Sequence, residues 1–504
     1  GEVPRVAPGA FGDAEQRGMA LHGIFWVHVL VGLITGVSMA FIAAFVVSCA
    51  EELPKRWTHN GGYDDADDLK LYSGRPDYIL IVGGAGLTVG ILTVPSNFPE
   101  DRPGFFAEVQ HCNVEYKWVP MTLILSSISM GFGASLGPEQ ALAAAGGGIA
   151  TWLCDTKGKE WGLDNPDDRR LAVLIGFVAS IASLFPTPLL SLLLIMEFVK
   201  PPKAYMEYTM LFFIAAMFNF LVFYQLVDLS FVYVARLDQN LFVTNQWQFY
   251  YNQIGVAVVI GMVCFVVAMV NLVTIGIWKQ IFLRLRERVD SIAPYKWVSR
   301  IVNPTLGGII IGILCWIAPI TVGDGSLVLG PVLQFGGADE LSDGDLWTSL
   351  FCKMTTMAIS MNCGFVGGFL FPTLCIAEIS GVLAYRIATP HNAYELPLGL
   401  FVACFMAGVP GAFAPMPITL VALPMSIFFL GLDQIVPIIV TVTTAYMMMC
   451  GSGLFQKMTK ARGIGPGTNE ESHDDPEDSK DMHDGEVVYR NGRPILVQTA
   501  NVAH

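Results

Sequence analysis

The sequence predicts an all-α polytopic membrane protein, built from two matching halves whose broken, re-entrant helices meet near the bilayer midplane. Three observations carry that prediction. The chain has long runs without a formal charge. Glycine and proline interrupt many of those runs. A pattern of breaks in the first half returns in the second.

Of 504 residues, 53% are hydrophobic and 14% are charged, against about 25% charged in a soluble domain. Mean hydropathy is +0.53. A bilayer core needs about 20 apolar residues per helix. His22–Ala50 carries no acid or base apart from two histidines, and Val119–Leu136, Leu171–Met196, Tyr208–Val227, Ile254–Ile277 and Ile301–Pro319 carry none. Leu396–Leu432 runs for 37 uncharged residues, too long for one span, so two segments or a broken one are expected there. A soluble core is excluded because these helices would lack a polar face.

The 51 glycines and 29 prolines would break most helices in water. In a membrane they are tolerated where helices pack closely or line a cavity. The ten cysteines fall mostly inside apolar runs, for example Cys264, Cys315 and Cys404, with no CxxC pair or Cys/His cluster. Buried reduced thiols are expected, with no metal site and no cofactor. No nucleophile elbow or phosphate loop marks an enzyme, and no nucleic-acid partner is expected.

The net charge of −14 is local: between Glu470 and Glu486 nine acids face one Lys480, which contributes −8. A soluble tail need not govern the field in a pore. The organisation read from these features is an exposed N-terminal segment at 1–20, a transmembrane body at 21–456 and an acidic tail at 457–504. The body divides into halves at about 21–228 and 248–456. Glu51–Asp77 reads as a polar loop, and the tail as mostly disordered, with a hairpin signal at Asn491-Gly492. The loop Lys279–Arg300, with Lys279, Arg284, Arg286, Arg288, Lys296 and Arg300, belongs on the cytoplasmic, stromal or matrix side, together with Lys457, Lys460 and Arg462.

The repeat is visible in four places. Phe185-Pro-Thr-Pro188 precedes an apolar helix, and so does Phe413-Ala-Pro-Met-Pro417; each follows small residues, Gly176–Ser183 and Ala407–Ala412. Earlier in each half lies a glycine segment ending in proline, Gly133–Pro138 and Gly364–Pro372. Matching broken segments in two halves are the mark of an inverted-repeat transporter, with the binding site at the broken ends.

Helix N-termini present unpaired N–H groups and partial positive charge, so several aimed at one point bind an anion without Lys or Arg. Three segments fit: Pro95-Ser96-Asn97-Phe98-Pro99, Gly137-Pro138-Glu139-Gln140 and Gly367-Gly368-Phe369-Leu370-Phe371-Pro372. A carboxylate at such an N-terminus can occupy the anion's place as a tethered competitor. Protonation removes its charge and frees the site. Glu139 is that carboxylate.

In order and spacing, these three segments resemble the CLC chloride channels and anion/proton exchangers, which carry GSGIP, then GxEGP, then GxFxP. Thr321-Val-Gly-Asp-Gly-Ser326 looks like the family's glycine loop, and Pro417 with Gln434…Pro437 like its penultimate helices. The resemblance covers roughly residues 78–455 and implies the CLC-type inverted-repeat fold. It implies Ser96 as hydroxyl donor to a central anion, Phe369 and Leu370 as backbone donors, and Glu139 as gate, with Gly137, Gln140 and Phe455 also among the anion-binding residues. Pro138 removes one donor from this break. Phe455 stands where the family places a tyrosine. Glu197 matches an acid common to channels and exchangers and is the proton-path candidate, while Phe198 falls where exchangers place their inner proton glutamate.

Because phenylalanine carries no proton, the first expectation is a passive chloride channel gated by Glu139. The alternatives are a chloride/proton antiporter on the same fold and a non-conducting membrane subunit. Chloride or another small anion is the expected bound ion, within a lipid bilayer and in a homodimer. The tail of about 50 residues is too short for the paired nucleotide-binding CBS modules of eukaryotic relatives. The absent initial Met and short tail suit an organellar membrane, such as that of a plastid, with the plasma membrane as the other choice.

Overall fold

In the computed structural model the described residues are 10–58, 65–96, 98–99, 108–109, 112, 114–185, 187–199, 205–227, 251–293, 295, 297–388, 396–414, 416–428, 430–431, 434–452, 486–490 and 493–497. The chain divides into two compact units, Gly1–Phe455 and Gln456–His504. In the second, strands Glu486–Arg490 and Arg493–Val497 pair antiparallel across Asn491-Gly492, the hairpin that the Asn-Gly pair predicts.

The first unit is helical among the described residues. Its first half contains α1 (Ala10–Trp57), α2 (Tyr78–Thr93), α3 (Val119–Gly131), α4 (Glu139–Trp161), α5 (Pro166–Ile181), α6 (Pro188–Phe198) and α7 (Tyr205–Leu226). Its second half contains α8 (Asn252–Ile292), α9 (Trp297–Ile317), α10 (Leu329–Gly337), α11 (Asp343–Cys363), α12 (Leu370–Ala388), α13 (Leu398–Gly411), α14 (Pro417–Ile427) and α15 (Ile435–Gly451). Among the described residues, five helices are long and apolar enough to cross a membrane: Gly23–Trp57, Thr209–Leu226, Gln253–Ile292, Trp297–Ile317 and Leu370–Ala388. On α8 the apolar residues Val259, Val266 and Val273 are each more than half exposed, an outward face suited to lipid and not to water.

The uncharged stretch Leu396–Leu432 resolves into α13 and α14, broken at Phe413–Met416. Leu171–Met196 resolves in the same way into α5 and α6. Prolines at the first turns of α6 and α14 fit there because their missing N–H is one that a helix start leaves unpaired anyway.

Three boundaries differ from those expected. The N-terminal segment is helical from Ala10, and α1 continues through Glu51 to Trp57, so the polar loop begins later than composition indicated. Its last turn holds the Lys55–Glu52 pair at 2.9 Å and is anchored by the Trp57 indole donating to the Gly131 carbonyl at 2.9 Å. The basic loop Lys279–Arg300 is largely helix, because α8 runs on to Ile292. Charged residues continue a helix beyond the bilayer when they pair one turn apart, as Arg286 and Asp290 do at 3.8 Å.

Close packing explains the glycines. Helices α2 and α9 lie antiparallel, and their glycines face the partner's backbone. A Cβ added to Gly86 would strike the Pro304 carbonyl, one at Gly90 would reach the Ile301 Cα, and one at Gly312 the Ile79 Cα. Small residues at such seams let backbones approach and gain dispersion contacts where no hydrophobic effect operates. Helices α4 and α5 meet the same way, at Gly146 and Gly176.

Candidate functional site

The two glycine breaks meet. Gly137 donates to the Gly368 carbonyl at 2.8 Å, and Gly368 donates to the Gly137 carbonyl at 2.7 Å, forming a short antiparallel bridge. The surrounding residues obey one offset. Gly133 and Gly364, 231 positions apart, both take left-handed backbone, with φ of 98° and 117°, a conformation that glycine adopts without cost. Ser129 and Ser360, again 231 apart, accept backbone N–H groups across the halves: Ser360 Oγ from Ser135 at 3.0 Å, and Ser129 Oγ from Val366 at 3.2 Å. Each serine hydroxyl donates to its own helix four residues back, to Leu125 and Thr356 at 2.7 Å.

The same offset places Glu139 opposite Leu370, and there the symmetry becomes chemically unequal. Pro138 caps α4 without a side-chain bond and without an N–H, whereas its counterpart Phe369 keeps one, and the acid Glu139 matches the apolar Leu370. Glu139 Oε1 accepts the Leu370 N–H at 2.6 Å. The carboxylate lies against bare backbone, since a Cβ on Gly137 or Gly368 would collide with it. Glu139 is 5% exposed, and its Oε2 has no hydrogen-bond partner. A negative group thus sits at the mouth of one helix on the donor of another, where an anion would be bound.

The sequence-predicted residues separate accordingly. Gly137, Glu139 and Leu370 come together. Gln140 is half-buried on the first turn of α4. Phe369 directly precedes α12, and its ring lies 6.0 Å from that of Phe413, which joins the break to the second copy of the aromatic-proline motif. Ser96 is not placed as an anion donor: its hydroxyl donates to the Leu92 carbonyl at 2.8 Å. It follows the end of α2, where the last carbonyls lack partners and a serine hydroxyl can cap them. The Glu197 carboxylate accepts from the Ile418 amide at 2.7 Å and from the Thr419 amide and hydroxyl at 2.8 and 2.6 Å. It therefore closes the N-terminus of α14. The Phe198 side chain and Phe455 lie outside the described residues.

Composition did not single out three further polar groups nearby. The Lys353 side chain, fully buried, donates to the carbonyls of Thr321 and Gly323 at 3.3 and 2.8 Å. The Gly323 amide in turn reaches the Gly133 carbonyl at 3.3 Å, so Lys353 braces the segment that leads into Glu139. Asp324, 6% exposed, accepts the Ser326 amide at 2.8 Å. With Glu51, Ser183, Phe185, Pro138 and Phe371 it lines a cavity of about 30 Å³, room for a water. Glu378, on α12, is 1% exposed. The available signal was a lone charge inside an apolar helix, which is itself a mark of function in a membrane.

The profile of the family described as "Voltage gated chloride channel" matches residues 82–449. Two curated relatives from Klebsiella pneumoniae strains, both named "H(+)/Cl(-) exchange transporter ClcA", are 23% and 24% identical over 345 residues, 66% of this chain and 66% of their own length. The alignment thus spans just under two thirds of those relatives. Among solved structures, "a slow cyanobacterial Cl-/H+ antiporter" superposes with a TM-score of 0.66 at 18% identity, over 87% of this chain and 97% of that one. "A CLC-type fluoride/proton antiporter" gives 0.57 at 16% identity, over 84% and 95%. These likenesses show the fold, and with the family match they show that this integral membrane protein belongs to the voltage-gated chloride channel family.

Proposed function

We propose that the chain exchanges a small anion, chloride in the first instance, for protons across its membrane, with Glu139 alternating between the anion's place and the proton-bound state. The single observation that carries this reading is the Glu139 carboxylate on the Leu370 amide at 2.6 Å. Ionised, Glu139 competes with the anion for one donor. Protonated, it gives up that donor and the anion can take it. One site with two mutually exclusive occupants gives anion movement and proton movement a common step.

This reading departs from the passive channel expected from Phe198. The matched relatives are named exchangers, and two of the similar solved structures are described as antiporters. The inner acid is one means of bringing a proton to Glu139, and its absence removes that means only. A passive channel is the second reading, favoured by Phe198 alone. The test is uphill transport: in lipid vesicles, a chloride gradient should drive proton movement against a pH gradient. Chloride efflux without any proton movement would overturn the exchange reading.

A further inference from the structure

Glu378 lies eight residues beyond Leu370 on α12, about 12 Å along the helix axis. The Leu333 backbone amide faces its carboxyl, yet Oε2 has no hydrogen-bond partner. Of the helices packed on α12, α10 and α13 contain no Asp, Glu, Lys, Arg or His, and α8 is uncharged through Ile254–Ile277. Its ionisable neighbour is Cys375, one turn earlier on α12, and Lys353 of α11 lies on the other side of that thiol. The Cys375 thiol interacts electrostatically with Lys353, Glu378 and Asp324, and Asp324 interacts with Glu139. The spacing is tight: a Cβ on Gly325 would lie 2.9 Å from the Cys375 sulfur and 3.3 Å from Lys353 Nζ. A string of buried ionisable groups therefore runs from Glu139 through Asp324, Lys353 and Cys375 to Glu378.

Charge counting makes the string functional. Three ionised carboxylates against one ammonium would leave a net charge of −2 inside a membrane, which burial makes prohibitive. With Lys353 charged, the string is neutral only when it holds two protons. We propose that Glu378 is a second proton-binding residue of this protein, coupled to Glu139 through Lys353 and Asp324. The transfer is balanced: as Glu139 loses its proton, another carboxylate of the string is neutralised. Lys353 stays an ammonium, and the total charge is unchanged. The string supplies a proton partner for Glu139 that needs no acid at position 198.

The transport consequence rests on the exchange reading, whereas proton binding at Glu378 does not, and the test separates them. Infrared difference spectra over a pH series, on full-length purified protein, should show a protonated-carboxyl band that is lost in Glu378→Gln and in Glu378→Met. In chloride-loaded vesicles both variants should lower proton flux at least about tenfold, with chloride flux retained. Wild-type infrared spectra in both variants would overturn the assignment, and where wild type moves protons, unchanged proton flux in both would overturn the coupling to Glu139. If wild type moves chloride without protons while the band is present and lost in the variants, exchange falls and Glu378 stands as a proton-binding residue.

Discussion

Replacing Glu139 with Gln removes the charge while keeping the shape of the side chain. In the structure the carboxylate takes the Leu370 amide at 2.6 Å, and a hydrogen bond to a charged group contributes about 1.5–3 kcal/mol. An entering anion must displace that bond. At about 1.4 kcal/mol per factor of ten, the variant should bind chloride about 10- to 100-fold more tightly at neutral pH. Acid should have the same effect on wild type. A carboxylate that competes when ionised stops competing once protonated, so wild-type chloride binding should strengthen as pH falls and approach that of the variant. Calorimetric titration of purified protein with chloride across a pH series measures both. Equal affinities at neutral pH, or an equal pH dependence in the variant, would refute the idea that Glu139 stands in the anion's place.

Ser360→Ala deprives the buried Ser135 amide of its acceptor and should cost about 1–3 kcal/mol; Ser129→Ala should do the same at Val366, read as lowered thermal stability in detergent. Lys353→Met removes the donor to the Thr321 and Gly323 carbonyls and a positive charge that favours the Asp324 carboxylate, and should cost about 1–3 kcal/mol. Adding Asp324→Asn should restore part of that stability. Glu197→Gln should destabilise the start of α14 by about 1.5–3 kcal/mol yet leave the ratio of protons to chloride unchanged; a changed ratio would return Glu197 to the proton path.

Much of the fold was legible because a bilayer forces it. Uncharged runs such as Ile254–Ile277 can be little else, and the aromatic-proline segments at Phe185 and Phe413 announced the repeat through similar punctuation. Glu139 was legible because an acid beside a glycine break in an uncharged stretch is conspicuous. The 231-residue register was carried by Ile128-Ser-Met130 and Ile359-Ser-Met361, each followed at the same spacing by a glycine, but Glu139 and Leu370 share no side-chain chemistry that would align them. They correspond through backbone geometry, which Gly133 and Gly364 impose by their left-handed φ. Ser96 was harder to place, because the same hydroxyl serves a helix end or an anion, and here it donates to the Leu92 carbonyl after α2. Lys353 and Glu378 lie in runs that are otherwise apolar, and their relation to Asp324 depends on three segments distant in sequence.

The central claim is that Glu139 couples anions to protons. It is tested most directly by the reversal potential of the purified protein in a bilayer under a pH gradient at symmetric chloride. Exchange predicts a potential displaced from zero by the proton gradient in wild type and no current reversal shift in Glu139→Gln. A wild-type potential fixed at zero, following the chloride gradient alone, would contradict it.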